Sequence, residues 1–259
     1  MIQPTLALER AFAHELADLA DAITLPAAGL HGRDVAATKS DGTWVTAIDH
    51  EVERAIRAAI AARFPEHAVL GEEDGLTGDP SAPTWVIDPI DGTAGFVRGT
   101  NVWATLIGLR VAGEDRLGVA SAPALGHRWD GVVGHGATLD GMAIQVSTVT
   151  ELQHAEVTFG DLDCWRTEDR WDGVARLIEA TRRVRSYGDF WNHCLVASGA
   201  VELAAEASLS VWDLVAVRAI VLAAGGRCTA LDGAETSDAG HALSTNGLLH
   251  DAALALVAS

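Results

Sequence analysis

Residues 84–99 read TWVIDPIDGTAGFVRG. The apolar run Trp85-Val86-Ile87 has the character of a short buried strand. It ends on Asp88. Pro89 follows, and Asp91 comes three residues after Asp88, just before Gly92-Thr93. Asp, Pro and Gly are all turn formers, so a plain surface turn would account for the stretch. Carboxylates at the end of a buried strand are costly, however, unless paired or bound to a cation. The stretch therefore reads either as a turn or as a site for something positive.

The flanks are helices and strands in close succession. AVLG (68–71) is another short strand, and GEEDGLTGDPSAP (71–83) reads as loop. Further upstream, Ile48, Val52, Ile56, Ile60 and Phe64 form a helical stripe that Pro65 ends. Leu8, Phe12, Leu16, Leu19 and Ile23 form another, stopped at 24–26 by Thr-Leu-Pro. Downstream, 102–111 and 117–125 are strands about a Gly-Glu-Asp turn, and 127–141 is a Gly-punctuated hairpin. After about 147 the pattern changes to alternating strands and helices. Helices are expected at 171–181, 189–206 and 213–226, strands at 183–188 and 227–233, and a strand and last helix within 242–257. Two sheet-plus-helix halves follow, 1–146 and 147–259, layered together.

Composition excludes several classes. The chain has 259 residues, 49% hydrophobic, enough for a large core. Acidic residues outnumber basic ones 36 to 18, for a formal charge of −18. Nucleic acid and anionic membranes call for Lys and Arg clusters, so neither is an expected partner. A small anionic substrate would need metal ions or backbone N–H groups against that field. Cys164, Cys194 and Cys228 are too few and too scattered for a disulfide framework or a zinc cluster. No apolar run is long enough to span a membrane, and residues 1–23 lack a basic leader pattern. A soluble, cytoplasmic protein is expected.

Four carboxylate-bearing spots recur at element boundaries. Glu72 and Glu73 follow the 68–71 strand, Asp88 and Asp91 end the next, and Asp49 and Asp213 each stand where a helix begins. Singly, each has an ordinary use: a helix N-cap for Asp49 and Asp213, a solvated loop pair for the glutamates, a turn for Asp88 and Asp91. Jointly they form an all-oxygen donor set that suits Mg²⁺ or Ca²⁺ rather than zinc. Such a cluster activates water and clamps phosphate, and Gly92-Thr93 adds a close-approach turn with N–H groups for an anion.

GEEDG, WVIDPIDGT and SVWDLVA, in this order, closely resemble the inositol monophosphatase family of Mg²⁺-dependent, lithium-sensitive phosphatases. The likeness runs from KSDGTWVTAIDHEVE to STNGLLHD. It implies an α/β fold of alternating α-β-α-β-α layers, usually dimeric, and two or three Mg²⁺ ions. By the same resemblance Glu72, Asp88 and the Ile90 carbonyl hold the first ion, and Asp88, Asp91 and Asp213 the second. Glu72 holds a weaker third. Thr93, hydrogen-bonded to Asp49, would orient the attacking water with Glu72, and the N–H groups of Gly92 and Thr93 would hold the phosphate. The three cysteines sit in no matched motif, so no protein nucleophile is expected.

Within that family the 184–216 segment is most similar to the histidinol-phosphate phosphatase branch. There Asp189, in YGDF, and Glu206, before SVWD, would shape the leaving-group pocket. L-Histidinol phosphate carries an ammonium and an imidazole, which two carboxylates would pair with; an uncharged cyclitol needs only neutral hydrogen bonds. Asp189 also reads as a helix N-cap, and the two roles are compatible. Trp103, Trp191 and Trp212 read as core or pocket wall. Ala94-Gly95 departs from the polar pair usual after DPIDGT. The alternatives are a phosphatase of inositol or another sugar or aminocyclitol phosphate, and a non-catalytic relative that binds a ligand.

Overall fold

The structure is a computed structural model that describes residues 6–28, 36–38 and 44–257. Lys39 and the side chain of Trp44, both within the KSDGTWVTAID motif, fall outside the described set. Helix α1 (Ala7–Ala27) leads to a two-stranded ribbon, β1 (Ala36–Thr38) and β2 (Trp44–Thr46), and then to α2 (Ala47–Arg63). An eight-stranded sheet follows from β3 (Ala68–Gly71), β4 (Gly75–Thr77), β5 (Thr84–Asp91), β6 (Ala104–Val111), β7 (Glu114–Ala122), β8 (His127–Val132), β9 (Gly136–Leu139) and β10 (Met142–Ile144). Its order is β10-β9-β8-β7-β6-β5-β3-β4, antiparallel throughout except for the parallel β3/β5 pair. The short helix α3 (Thr93–Arg98) interrupts it after β5.

A second sheet holds β11 (Glu156–Phe159), β12 (Arg183–Arg185), β13 (Leu203–Ala207), β14 (Arg227–Thr229) and β15 (His241–Thr245), in the order β12-β11-β13-β15-β14. Around it lie α4 (Leu162–Thr167), α5 (Trp171–Ala180), α6 (Asp189–Ala197), α7 (Val211–Ala223) and α8 (His250–Val257). Three of the apolar clusters among the described residues lie between layers. Phe12, Leu16, Val52, Ile56 and Ile60 of α1 and α2 meet Trp85, Ile87, Ile107 and Val119 on the outer face of the large sheet. Leu106 and Ala120 on its inner face meet Leu214, Val217 and Ile220 of α7. Val157, Leu203 and Leu243 of the small sheet meet Val174, Leu177 and Ala253 of α5 and α8. The layers alternate α-β-α-β-α, as expected. With both faces of the large sheet covered, its strands read as continuous apolar runs rather than alternating ones.

The seat of α7 is cut in glycine. Gly108, Gly118 and Gly131 are cross-strand neighbours on β6, β7 and β8. A Cβ on each would strike α7: the Val215 side chain, the Ala216 backbone and the Ile220 backbone respectively. Three missing side chains let the helix axis approach the sheet, and this brings Asp213, in its first turn, against the end of β5.

Several elements differ from their sequence reading. Helix α1 continues through Pro26, and it buries Ala13, Ala17 and Ala20 beside Phe12 and Leu16 while Leu8 is exposed. Small residues let α1 sit close to the sheet, so its inward face is read from packing and not from bulk. The 189–206 segment is not one helix. Helix α6 stops at Ala197, Gly199 turns the chain at φ 69°, and Leu203–Ala207 is a strand. The Gly78-containing loop before β5 also encloses the short strand β4. Among the described residues, no helix is long and apolar enough to cross a membrane. The three cysteines are free.

Candidate active site

Strand β5 delivers the first carboxylates. Its register with β6 shifts between Asp88 and Asp91, a bulge that turns the strand end out of the ladder. Asp88 Oδ1 accepts from the N–H of Ile90, two residues on (2.9 Å). Asp91 Oδ2 accepts from the N–H of Phe190 (2.7 Å), in the first turn of α6. Asp213 Oδ2 accepts from the N–H of Ser210 (2.7 Å), closing a capping box at the start of α7. Carboxylate oxygens of Asp88, Asp91 and Asp213 lie within 4.8 Å of one another. Three carboxylates from two elements, β5 and α7, thus converge, each anchored by a backbone donor.

Glu72 follows β3, and its own N–H donates to Ile87 O (3.2 Å), which registers the turn against β5. The fully buried Glu53 holds that turn from below. It accepts from the N–H groups of Glu73 (2.8 Å) and Asp74 (2.9 Å) and pairs with Arg57 (2.8 Å). Asp49 is the third residue of a capping box. Its Oδ2 accepts from Thr46 N–H (2.8 Å) and Oγ1 (2.7 Å), while its buried Oδ1 has no hydrogen-bond partner. The hydrogen bond expected between Thr93 and Asp49 is replaced by another: Thr93 Oγ1 donates to the Ile90 carbonyl (2.8 Å). At the first turn of α3 that carbonyl is the acceptor three residues back, within reach of a short side chain.

Gly92 has φ 81°, the left-handed region that favours glycine. A Cβ there would also stand 2.9 Å from Val102 O and 3.1 Å from Asp189 Oδ2. Asp189 is the first residue of α6 and not its N-cap, which is Gly188. Its own φ is 50°, uncommon for a residue with a side chain, and this aims the carboxylate back toward Gly92.

The electrostatics follow from the crowding. Burial, then the charges of Glu72, Asp91 and Asp213, push the Asp88 carboxyl well above its ordinary range. Burial, then Asp189 and Asp213, do the same to Asp91. Asp213 and Asp49 are raised to about 6, chiefly by burial. Crowded carboxylates of this kind cannot all be charged without a counter-cation, and one of them keeps an orphaned oxygen. All donors are oxygen, so the residues present fit a hard divalent cation.

Two cavities meet here. One, of about 400 Å³, is lined by Glu72, Asp88, Ile90, Asp91, Gly92 and Thr93, with Asp189, Trp212 and Asp213 across from them. The other, of about 170 Å³, shares Asp91, Asp161, Asp189, Ser208 and Asp213 with it and ends on Glu206 and His193. Asp189 and Asp161 stand exposed on the rim, and Glu206 is buried at the floor, where burial raises its carboxyl to about 8. Glu72, Asp88, Ile90, Asp91, Gly92, Thr93, Asp189, Glu206 and Asp213 each line one of these cavities; Glu73 does not, and Asp49 is fully buried.

The profile of the inositol monophosphatase family matches residues 8–258. The chain belongs to the inositol monophosphatase family. Hydrolysis of phosphate monoesters, the activity expected from its motifs, stands with that membership, and so does dependence on a metal ion. The chain is 44% identical to a histidinol-phosphatase of Mycobacterium tuberculosis over 92% of its length and 94% of the relative's. It is 43% identical to a histidinol-phosphatase of Streptomyces coelicolor over 92% of both. In structure it resembles an inositol monophosphatase from Anabaena (Nostoc) sp. PCC 7120, with a TM-score of 0.86 and 29% identity over 98% of this chain and 96% of that one.

Against the family pattern, the Ala94-Gly95 departure has a packing reason on one side. A Cβ on Gly95 would meet Thr100 Oγ1 and Val102 O at 2.7 Å, so the 100–102 segment lies flat on α3. Ala94 sits exposed on the cavity rim. Four residues escaped the sequence reading: Glu53, Asp161, Asn192 and His193. Asp161 had a signal, since it follows a strand as Glu72 does. The others are polar residues inside helices, and only the tertiary contacts give them a role.

Proposed function

We propose that this phosphatase hydrolyses L-histidinol phosphate to L-histidinol and phosphate, with Mg²⁺ as its ion and two or three ions per site. The observation that carries the substrate is the second cavity, whose rim and floor present Asp189, Asp161 and Glu206 beside the carboxylate cluster. A leaving group with an ammonium pairs with such a wall, whereas a neutral cyclitol would leave its charges uncompensated. The histidinol-phosphatases among the relatives support the same reading.

Glu72, Asp88, Asp91, Asp213 and the Ile90 carbonyl would hold the ions. When bound, Mg²⁺ neutralises phosphate charge and makes water a stronger acid. Glu72 takes the proton of the attacking water, and Thr93 orients that water. The N–H groups of Gly92 and Thr93 hold the phosphate oxygens. Asp49 closes the start of α2 behind the site through Thr46. Asp189 and Glu206 seat the ammonium.

The des-amino analogue, the same imidazolyl ester without its amine, tests the assignment. Loss of the ammonium's contacts with Asp189 and Glu206 should lower kcat/KM by about tenfold or more relative to L-histidinol phosphate. Equal values would remove the support for ammonium pairing. Inhibition by lithium, a homodimer and a cytoplasmic location extend the family reading to this chain; a lithium titration and sedimentation analysis check the first two.

A further inference from the structure

Asn192 lies in the first turn of α6, fully buried, three residues after Asp189 and hydrogen-bonded to Glu206. Its Oδ1 accepts from Thr158 Oγ1 on β11 and from the N–H of Gly188 (3.2 Å). Its Nδ2 donates to Glu206 Oε1 on β13 (2.7 Å). Two donors converging on Oδ1 fix the orientation of the amide, and its N–H₂ end must then face Glu206. The Gly188 contact bears on Asp189. Residues 188 and 189 both have positive φ, 97° and 50°, and for the aspartate such a backbone persists only when its surroundings impose it. One side chain therefore ties the turn that aims Asp189 and also grips Glu206.

We infer that Asn192 is a positioning residue for substrate selection: it sets the two cavity carboxylates at the spacing that receives a cationic leaving group. The inference rests on the histidinol-phosphate reading. A buried amide that only satisfies its neighbours would support the fold without distinguishing substrates. A clamp on Asp189 and Glu206 acts on the cation end of the substrate and leaves the phosphate end, built by β5, α3 and α7, in place.

The test compares kcat/KM for L-histidinol phosphate and for p-nitrophenyl phosphate, an ester without a cation, in wild type, Asn192→Leu, Asn192→Asp, Glu206→Gln and the double variant Asn192→Leu/Glu206→Gln. The ratio of the two kcat/KM values should fall about tenfold in Asn192→Leu, mainly through KM for the cationic ester. Asn192→Asp keeps acceptors for Thr158 and Gly188 but turns an acceptor toward Glu206. It should lower the ratio as well, and it carries the test if the leucine variant fails to fold. In the Glu206→Gln background the Asn192→Leu effect should shrink to about twofold, because contacting residues are not additive. Equal losses on both esters, or full additivity with Glu206→Gln, would overturn the role of Asn192. A wild-type enzyme that releases phosphate from p-nitrophenyl phosphate but not from L-histidinol phosphate would overturn the substrate reading itself, and the inference with it.

Discussion

Asp213 occupies two roles that chemistry can separate. Its Oδ2 caps α7 through Ser210, and its carboxylate also closes the cluster with Asp88 and Asp91. Asp213→Asn retains a cap acceptor but gives up the charge. We expect a loss in turnover of about 100-fold and a higher Mg²⁺ requirement, read from phosphate release across a Mg²⁺ titration. Near wild-type activity at limiting Mg²⁺ would contradict its place among the ligands. On the substrate side, Asp189→Ala should raise KM more for L-histidinol phosphate than for p-nitrophenyl phosphate, and equal effects would contradict the pairing with ammonium. At this scale the β5 side of the larger cavity was legible, because Asp88, Ile90, Asp91, Gly92 and Thr93 lie in one short stretch. The partner of Thr93 was not, since two acceptors compete for one hydroxyl and only the first-turn geometry of α3 favours Ile90 O. Asn192 was not legible either, because its partners lie 14 and 34 residues away in the chain.

Among the elements, α7 does most to assemble the site, and the glycines beneath it are its weakest point. Gly118→Ala would drive a methyl into the backbone of Ala216. With no flexible side chain to yield, the expected cost is about 2–3 kcal/mol in urea unfolding, with a further loss of activity as Asp213 moves off β5. Stability within about 0.5 kcal/mol of wild type would show that the seat tolerates a side chain. Helix α7 itself was plain from 213–226, but the depth of its seat was not, because Gly108, Gly118 and Gly131 come from three strands whose register no local pattern reveals. The 189–206 segment shows the same limit. Its apolar spacing suits a helix throughout, and the break comes from Gly199 and from the pairing of Leu203–Ala207 with β11 and β15. Glu206 therefore reaches the cavity from a sheet and not from a helix face.

The layered architecture gathers negative charge at one place in a chain already at −18, and this gives the whole molecule a pH signature. Folding raises Asp49 and Asp213 from 3.8 to about 6, and Glu206 from 4.5 to about 8. Over those windows the folded state keeps protons that the unfolded chain has released, so stability is present at the acid end and falls as pH rises. The metal-free protein should lose Tm between pH 5 and pH 8. Added Mg²⁺ should raise Tm more at pH 8 than at pH 5, because ions and protons compete for the same oxygens. An equal shift at both values would contradict a carboxylate-held ion. The layer order was implied by the family resemblance of the motifs, and local pattern placed Asp49 and Asp213 in the first turns of their helices, with Thr46 and Ser210 as the N-caps; the cavity wall, which joins β13, α4 and α6, could not be read before the structure. The most direct measurement is phosphate release from L-histidinol phosphate and from inositol 1-phosphate, each with and without Mg²⁺. The account predicts Mg²⁺-dependent release with kcat/KM for L-histidinol phosphate at least about tenfold higher, as the contacts of its ammonium imply. Comparable rates on the two esters, or no Mg²⁺-dependent release from either, would contradict it.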